Sequence, residues 1–228
     1  DFYVRFAACQ LLTALYINQP RAVQDAFKSN TEGVSSLMDA MADSRHKAMI
    51  AKEALMLMVQ LTHTSVEIKM AVVFDGAFDR TFEIITRAFE DDVDGGVVVK
   101  DALDVLHNLL RDTPPNQTYF RENGDTLRLA KILQLEAVRA ARATSNPALL
   151  QNLDHMVEVV QALVSGSIAG TLALVQNQTK LGMDGVLTAM LDVATAEGQS
   201  TAIRTSALHC VERMVVDHAT NSKLLTDF

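Results

Sequence analysis

The stretch Val4 to Leu15, VRFAACQLLTAL, recurs four times: Ile50 to Leu61 (IAKEALMLMVQL), Val98 to Leu109 (VVKDALDVLHNL), Asn152 to Leu163 (NLDHMVEVVQAL) and Ile203 to Met214 (IRTSALHCVERM). Successive copies begin 46, 48, 54 and 51 residues apart, and a fixed period of that size marks a stack of like supersecondary units. Ala8, Ala54, Ala102, Met156 and Ala207 form one column; Leu12, Met58, Leu106, Val160 and Val211 a second; Leu15, Leu61, Leu109, Leu163 and Met214 a third. Steps of four and three residues place these columns on one stripe of a 3.6-residue helix. A further column, Leu11, Leu57, Val105, Val159 and Cys210, widens the stripe until little of the girth is left for water. A helix so broadly apolar has to be packed on both flanks, as the innermost helix of a stacked array is.

Between these copies a second helical pattern begins each time at a glycine: Gly33 to Met41, Gly76 to Ile85, Gly124 to Leu133 and Gly185 to Leu191. Shorter helices precede it at Arg21 to Lys28, Val66 to Val73 and Leu172 to Leu181; the fourth, Asn116 to Phe120, spans barely a turn and a half. Breakers and polar residues cluster at Asp43-Ser44-Arg45, Asp91 to Gly96, Thr113-Pro114-Pro115, Ser145-Asn146-Pro147 and Glu197-Gly198-Gln199, which predicts loops there. No period-2 alternation is sustained. The expected fold is an all-α, armadillo-like α-solenoid of four to five three-helix repeats wound as a right-handed superhelix, one repeat region over 1–228. Its units fall at about 1–16 (partial), 18–62, 64–111, 115–165, 168–216 and 218–228 (partial). The chain starts at Asp1 rather than Met, in the last helix of a unit, so we expect a piece of a longer protein whose end helices lack their neighbours.

The 228 residues are 49% apolar, 21% charged and 5% aromatic, with a net charge of −8. That balance argues against nucleic-acid binding, which needs a surplus of Lys and Arg on one face, and against an anionic membrane surface. No apolar run approaches the roughly 18 residues of a membrane span. Cys9 and Cys210 fall in apolar columns and read as small buried hydrophobes. The six histidines are scattered, and no metalloprotease, nucleophile-elbow or phosphate-loop pattern occurs. The nearest metal-like pairs, Asp104 with His107 and His155 with Glu158, sit on successive inner helices roughly 10 Å apart by helix packing, too far to share an ion. We expect no enzyme activity, cofactor or metal. Asn116-Gln117-Thr118 and Asn177-Gln178-Thr179 match the glycosylation sequon, but both open helices and read as caps. The acidic loop Glu90-Asp91-Asp92 with Asp94 reads as a solvated surface.

Inner-helix positions that face away from the core are the candidate binding surface, since concave solenoid faces are built from them. They comprise Gln10, Asp104, His107, Asn108, Glu158, Gln161, His209 and Glu212. The Asn and Trp ladder of nuclear-import armadillo proteins is missing: only Asn108 fits it, and the chain has no Trp.

One ordered set of motifs resembles the head region of the general vesicular transport factor family. It runs Asp94-Gly95-Gly96-Val97-Val98-Val99-Lys100-Asp101-Ala102-Leu103, then Asn108-Leu109-Leu110-Arg111, then Asn116-Gln117-x-x-Phe120-Arg121-Glu122. Asp1-Phe2-x-Val4-Arg5, Gly33-Val34-Ser35-x-Leu37-Met38-Asp39, Ala42-Asp43-Ser44-Arg45 and Phe74-x-x-Ala77-Phe78-x-Arg80 support it, so the likeness covers residues 1 to about 122. Beyond that it thins to echoes such as Asn152-Leu153-x-x-Met156. The resemblance implies a non-catalytic interaction module of a homodimeric vesicle tether in ER-to-Golgi and intra-Golgi transport. It also implies a cytoplasmic protein, peripheral on Golgi and vesicle membranes, whose partners are a Rab-type small GTPase and the tethering or fusion machinery. The residues alone leave a second reading, an armadillo-type adaptor or peptide-binding scaffold outside Golgi traffic.

Overall fold

The computed structural model describes residues 2–42, 48–91, 97–142, 147–165 and 171–227. Among them the chain is all-helical, in fourteen helices: α1 (Phe2–Asn18), α2 (Pro20–Ser29), α3 (Thr31–Ala42), α4 (Ala48–Thr62), α5 (Val66–Phe74), α6 (Ala77–Asp91), α7 (Val97–Leu110), α8 (Pro114–Glu122), α9 (Asp125–Arg142), α10 (Pro147–Ser165), α11 (Leu172–Met183), α12 (Val186–Thr195), α13 (Thr201–Val215) and α14 (Ala219–Thr226). They repeat as short helix, middle helix, inner helix, which is the three-helix order of an all-α solenoid. Two compact units divide the chain, Asp1–Leu109 and Leu110–Phe228.

In the first unit like packs on like: inner helix α1 on α4, short helix α2 on α5, middle helix α3 on α6. The second unit follows the same rule, with α10 on α13, α8 on α11 and α11 on α14, and α9 on α12. The repeat columns are the reason. Ala54, Ala102, Met156 and Ala207 are fully buried, as are Met58, Leu106, Val160 and Leu57, Val105 and Val159. On α1 the same columns are wet: Leu11 is 61% and Leu15 43% exposed, and Cys9 is the one buried residue of that helix.

Local chemistry sets the helix starts. Ser65, Thr171 and Ser200 each cap a helix, their side-chain oxygens accepting from the backbone N–H of Ile68, Leu174 and Ile203, the bond preferred at this position. Pro20 and Pro114 open α2 and α8, where a missing N–H costs nothing. The proline pair lengthens the fourth short helix to Pro114–Glu122, beyond the turn and a half expected. Three of the four glycines expected to open middle helices do so with left-handed backbone: Gly76, Gly124 and Gly185 have φ of 87°, 81° and 89°. Gly33 differs, lying inside α3, which starts at Thr31. Asp112 and Asp217 follow inner helices α7 and α13 with φ of 54° and 55°, a left-handed conformation that Asp tolerates better than most residues. The Asp94-Gly95-Gly96 turn, the acidic loop at Asp92 to Asp94, and the loops at Asp43-Ser44-Arg45 and Ser145-Asn146 lie outside the described residues.

The two Asn-Gln-Thr tripeptides are not caps. Thr113 and Thr171 hold the cap positions, while Asn116, Gln117, Asn177 and Gln178 lie within α8 and α11 and are buried. The amides of Gln117, Asn177 and Gln178 close the C-terminal ends of inner helices, whose last carbonyls have no partner within the helix. Gln117 Nε2 donates to Ala162 O and Leu110 O, both at 3.0 Å; Gln178 Nε2 donates to Arg213 O at 2.7 Å and Val216 O at 3.1 Å. Ala162 and Arg213 occupy the same repeat position. Asn177 Nδ2 donates to Leu163 O and Asn221 Nδ2 to Met214 O, each at 2.9 Å, again at one repeat position. Asn177 is also bonded to Gln117 Oε1 at 3.2 Å and accepts from Arg121 at 2.6 Å. Burial also removes both asparagines from reach of glycosylation in the folded chain.

Replacing Gln178 by Leu keeps the volume but removes two part-buried hydrogen bonds to Arg213 O and Val216 O, each contributing about 1 kcal/mol. The melting temperature should fall by several degrees, whereas Gln176→Leu, on the exposed side of the same helix, should leave it nearly unchanged. Gly182→Ala tests the contact of α11 with α14: an added Cβ would stand 2.8 Å from Asn221 Cγ. Asn221 cannot retreat without losing its bonds to Met214 O and Gln178 O. We expect loss of amide-exchange protection across α14, and non-additivity when Gly182→Ala is combined with Asn221→Ala.

Candidate partner-binding surface

The candidate residues divide between the units. In the first, Gln10 on α1 donates to Glu53 Oε1 on α4 at 3.3 Å. Asp104 on α7 accepts from Lys100 Nζ at 2.8 Å, and Asp101 lies 3.7 Å from the same ammonium. Burial raises the Asp101 carboxyl above its ordinary range, against the pull of Lys100. Burial opposes the charge on Lys100 too, but its bond to Asp104 and the two carboxylates hold it above its ordinary value. Asp104 thus belongs to a local charge cluster on α7. His107 is half-buried on the same helix. Asn108 is buried, and its Nδ2 donates to Val59 O on α4 at 3.0 Å. Its side chain ties inner helices together instead of meeting solvent, which corrects its place among surface residues.

In the second unit three of the four candidates converge. Gln161 on α10 and His209 and Glu212 on α13 line an open depression of about 500 Å³, completed by Ser165, Arg213 and Val216 with Cys210 beneath. Glu158 stands three residues before Gln161 and bonds His155 Nδ1 at 3.0 Å; His209 Nδ1 lies 3.4 Å from Glu212 Oε2. Both His–Glu pairs have i, i+3 spacing, and they are offset by one turn, since Glu158 of α10 and His209 of α13 share one repeat position. The depression therefore presents a carboxylate, an imidazole, an amide and a guanidinium, with the half-buried Glu158 one turn away on α10, groups able to form hydrogen bonds and ion pairs. Among the described residues no three His, Cys, Asp or Glu side chains converge in a metal-like group.

The thiols beneath these surfaces are not poised to react. Burial pushes Cys210 up to about 12, and burial first, then Glu53, raises Cys9 above its ordinary value. Cys210 Sγ points at Val157 O, 3.7 Å away. The polar ladder of Asn177, Gln178, Asn221 and Gln117 is what sequence reading missed; its signal was one tripeptide, Asn-Gln-Thr, in two consecutive short helices.

The fold defines the class: an armadillo-type α-solenoid. The chain is a homologue of the general vesicular transport factors. It is 31% identical over 215 residues to general vesicular transport factor p115 of Bos taurus, covering 94% of this chain and 22% of that protein. The crystal structure of Uso1-2 superposes with a TM-score of 0.83 at 25% identity, over 97% of this chain and 32% of the other. The armadillo-repeats-only protein of Plasmodium falciparum shares the fold at a TM-score of 0.68 and 11% identity, over 92% of this chain and 80% of the other. No family model matches the chain. The chain thus spans about a fifth of the curated relatives' length.

The thiol chemistry makes a prediction. A group whose folded pKa is raised stabilises the fold fully below its unfolded pKa and loses that contribution as pH climbs to the folded value. For Cys210 that window runs from 9.0 to about 12. Native chain at pH 8 should leave Cys210 unlabelled by iodoacetamide while denatured chain labels fully, and alkaline unfolding should shift upward in Cys210→Val. Mass spectrometry and circular dichroism read the two outcomes.

Proposed function

We propose that this chain is a non-catalytic protein-interaction module of a vesicle-tethering factor acting in ER-to-Golgi and intra-Golgi transport. The observation that carries the reading is the match along 94% of the chain to a general vesicular transport factor. The second unit supports it, because its solvent-facing inner-helix residues gather hydrogen-bonding and charged groups without an activated nucleophile. We assign the partner contact to Glu158, Gln161, His209 and Glu212, and the partner to a Rab-type small GTPase together with the tethering or fusion machinery. Gln10, Asp104 and His107 are assigned to the corresponding face of the first unit. The full-length protein is proposed to be a homodimer, cytoplasmic and peripheral on Golgi and vesicle membranes. No helix among the described residues is long and apolar enough to cross a membrane.

Reversing Glu158 and Glu212 together to Lys tests the assignment. Exposed substitutions of this kind usually alter stability by less than about 0.5 kcal/mol, so helix content and melting temperature should hold. Binding to GTP-loaded members of a Rab panel, measured by surface plasmon resonance, should drop about tenfold and lose salt sensitivity. Unchanged binding by the double variant would place the contact elsewhere. No binding by any Rab to the parent chain would sink the partner assignment.

A further inference from the structure

Helix α5 inverts the usual polarity of a surface helix. Its sequence, VEIKMAVVF, has two charged residues, Glu67 and Lys69, and Lys69 is only 3% exposed, buried with Ile68, Val72 and Val73. Val66, Met70 and Phe74, four residues apart and so on one stripe, face outward, Phe74 at 94% exposure. A helix apolar all round is ordinarily covered on every side, and clustered exposed apolar groups mark interaction sites.

Beside the stripe runs an open groove of about 520 Å³, walled by Phe27, Val34, Ile68, Met70, Ala71 and Phe74. Three charged residues line it: Lys28, Glu67 and Asp75. The Lys28 ammonium is already shared, 3.5 Å from Asp25 and 3.8 Å from Glu67, so the rim is left net negative. Glu67 stays ionised because its own backbone N–H, then the Ser65 hydroxyl at 3.1 Å, then Lys28 hold its carboxyl below the ordinary range.

We propose that the α5 stripe and this groove are a docking site for a helical segment of a partner protein carrying apolar side chains one turn apart, flanked by Lys or Arg. The apolar anchors enter the groove between α2, α3 and α5 in the helix-in-groove mode, and the cations meet Glu67 and Asp75. A second copy is a poor occupant, since a chain of net charge −8 brings like charge to an acidic rim. An anionic membrane is opposed by the same rim. The site lies wholly in the first unit and does not depend on the Rab assignment made for α10 and α13.

Two synthetic amphipathic peptides of about five helical turns, identical in their leucines but flanked by Lys in one and Glu in the other, are titrated into the 228-residue chain by fluorescence anisotropy. The Lys-flanked peptide should bind in the micromolar range, at least about tenfold tighter than the Glu-flanked one, and should shift the Met70 methyl resonance. Met70→Ser with Phe74→Ser, both exposed in the fold, should weaken it about tenfold at unchanged helix content. Glu67→Lys with Asp75→Lys should turn the preference toward the Glu-flanked peptide. The proposal is overturned by equal binding of both peptides, by binding of neither, or by binding that leaves the Met70 signal or the serine variant unaffected. Sedimentation of the parent as a dimer that Phe74→Ser dissociates would make the occupant a second copy. Phe74-dependent flotation with phosphatidylserine vesicles would make it a membrane. Either result also overturns the assignment.

Discussion

The stack depends on how the inner helices end. An inner helix is flanked on both sides, so its last carbonyls turn into protein and cannot be left to water. In the second unit the amides of Gln117, Asn177, Gln178 and Asn221 supply the missing donors, each reaching carbonyls near the end of α10 or α13. Each short helix thereby holds an inner helix by hydrogen bonds that have direction, where apolar packing alone would permit sliding. A buried network of this sort is stabilising only when every member is satisfied. Repetition of the same pairing at Ala162 and Arg213, and at Leu163 and Met214, shows a device built once and reused with the repeat.

Two further constraints follow from the same geometry. Alanine at 54, 102 and 207 permits close approach of neighbouring inner helices, and full burial of these residues leaves no slack. The turns into the middle helices α6, α9 and α12 are tight, and the left-handed backbone at Gly76, Gly124 and Gly185 makes them so without steric cost. Gly182 serves differently: it gives Asn221 room to reach across from α14, so a position with no side chain sustains the amide ladder.

The inner-helix surfaces contrast with the α5 face. Along α10 and α13 the outward groups are carboxylates, amides and imidazoles, able to exchange water for a partner's polar groups at little cost. On α5 the outward groups are Val66, Met70 and Phe74, which gain from leaving water. The two kinds of surface differ in the contacts they can make, polar and salt-sensitive on α10 and α13, apolar on α5.

The helical class, the three-helix unit and the core columns were legible in the sequence because each rests on local periodicity: an amphipathic stripe repeats visibly whenever the unit does. The vesicular transport factor likeness was legible for the same reason, as ordered motifs along one chain. The roles of Asn108, Asn177 and Gln178 were not, because hydrogen bonds to Val59, Leu163 and Arg213 join residues 49, 14 and 35 positions apart. Sequence reasoning sees a polar residue and assigns it to solvent or to a nearby cap. The candidate face was half legible: its periodicity placed Gln161, His209 and Glu212 on one side, but only packing could show that they share a depression while Asn108 is interior. The same holds for α5, where a lysine faces in and a phenylalanine faces out. Local pattern determines which residues share a stripe; the neighbours that arrive in the folded chain decide which stripe is covered.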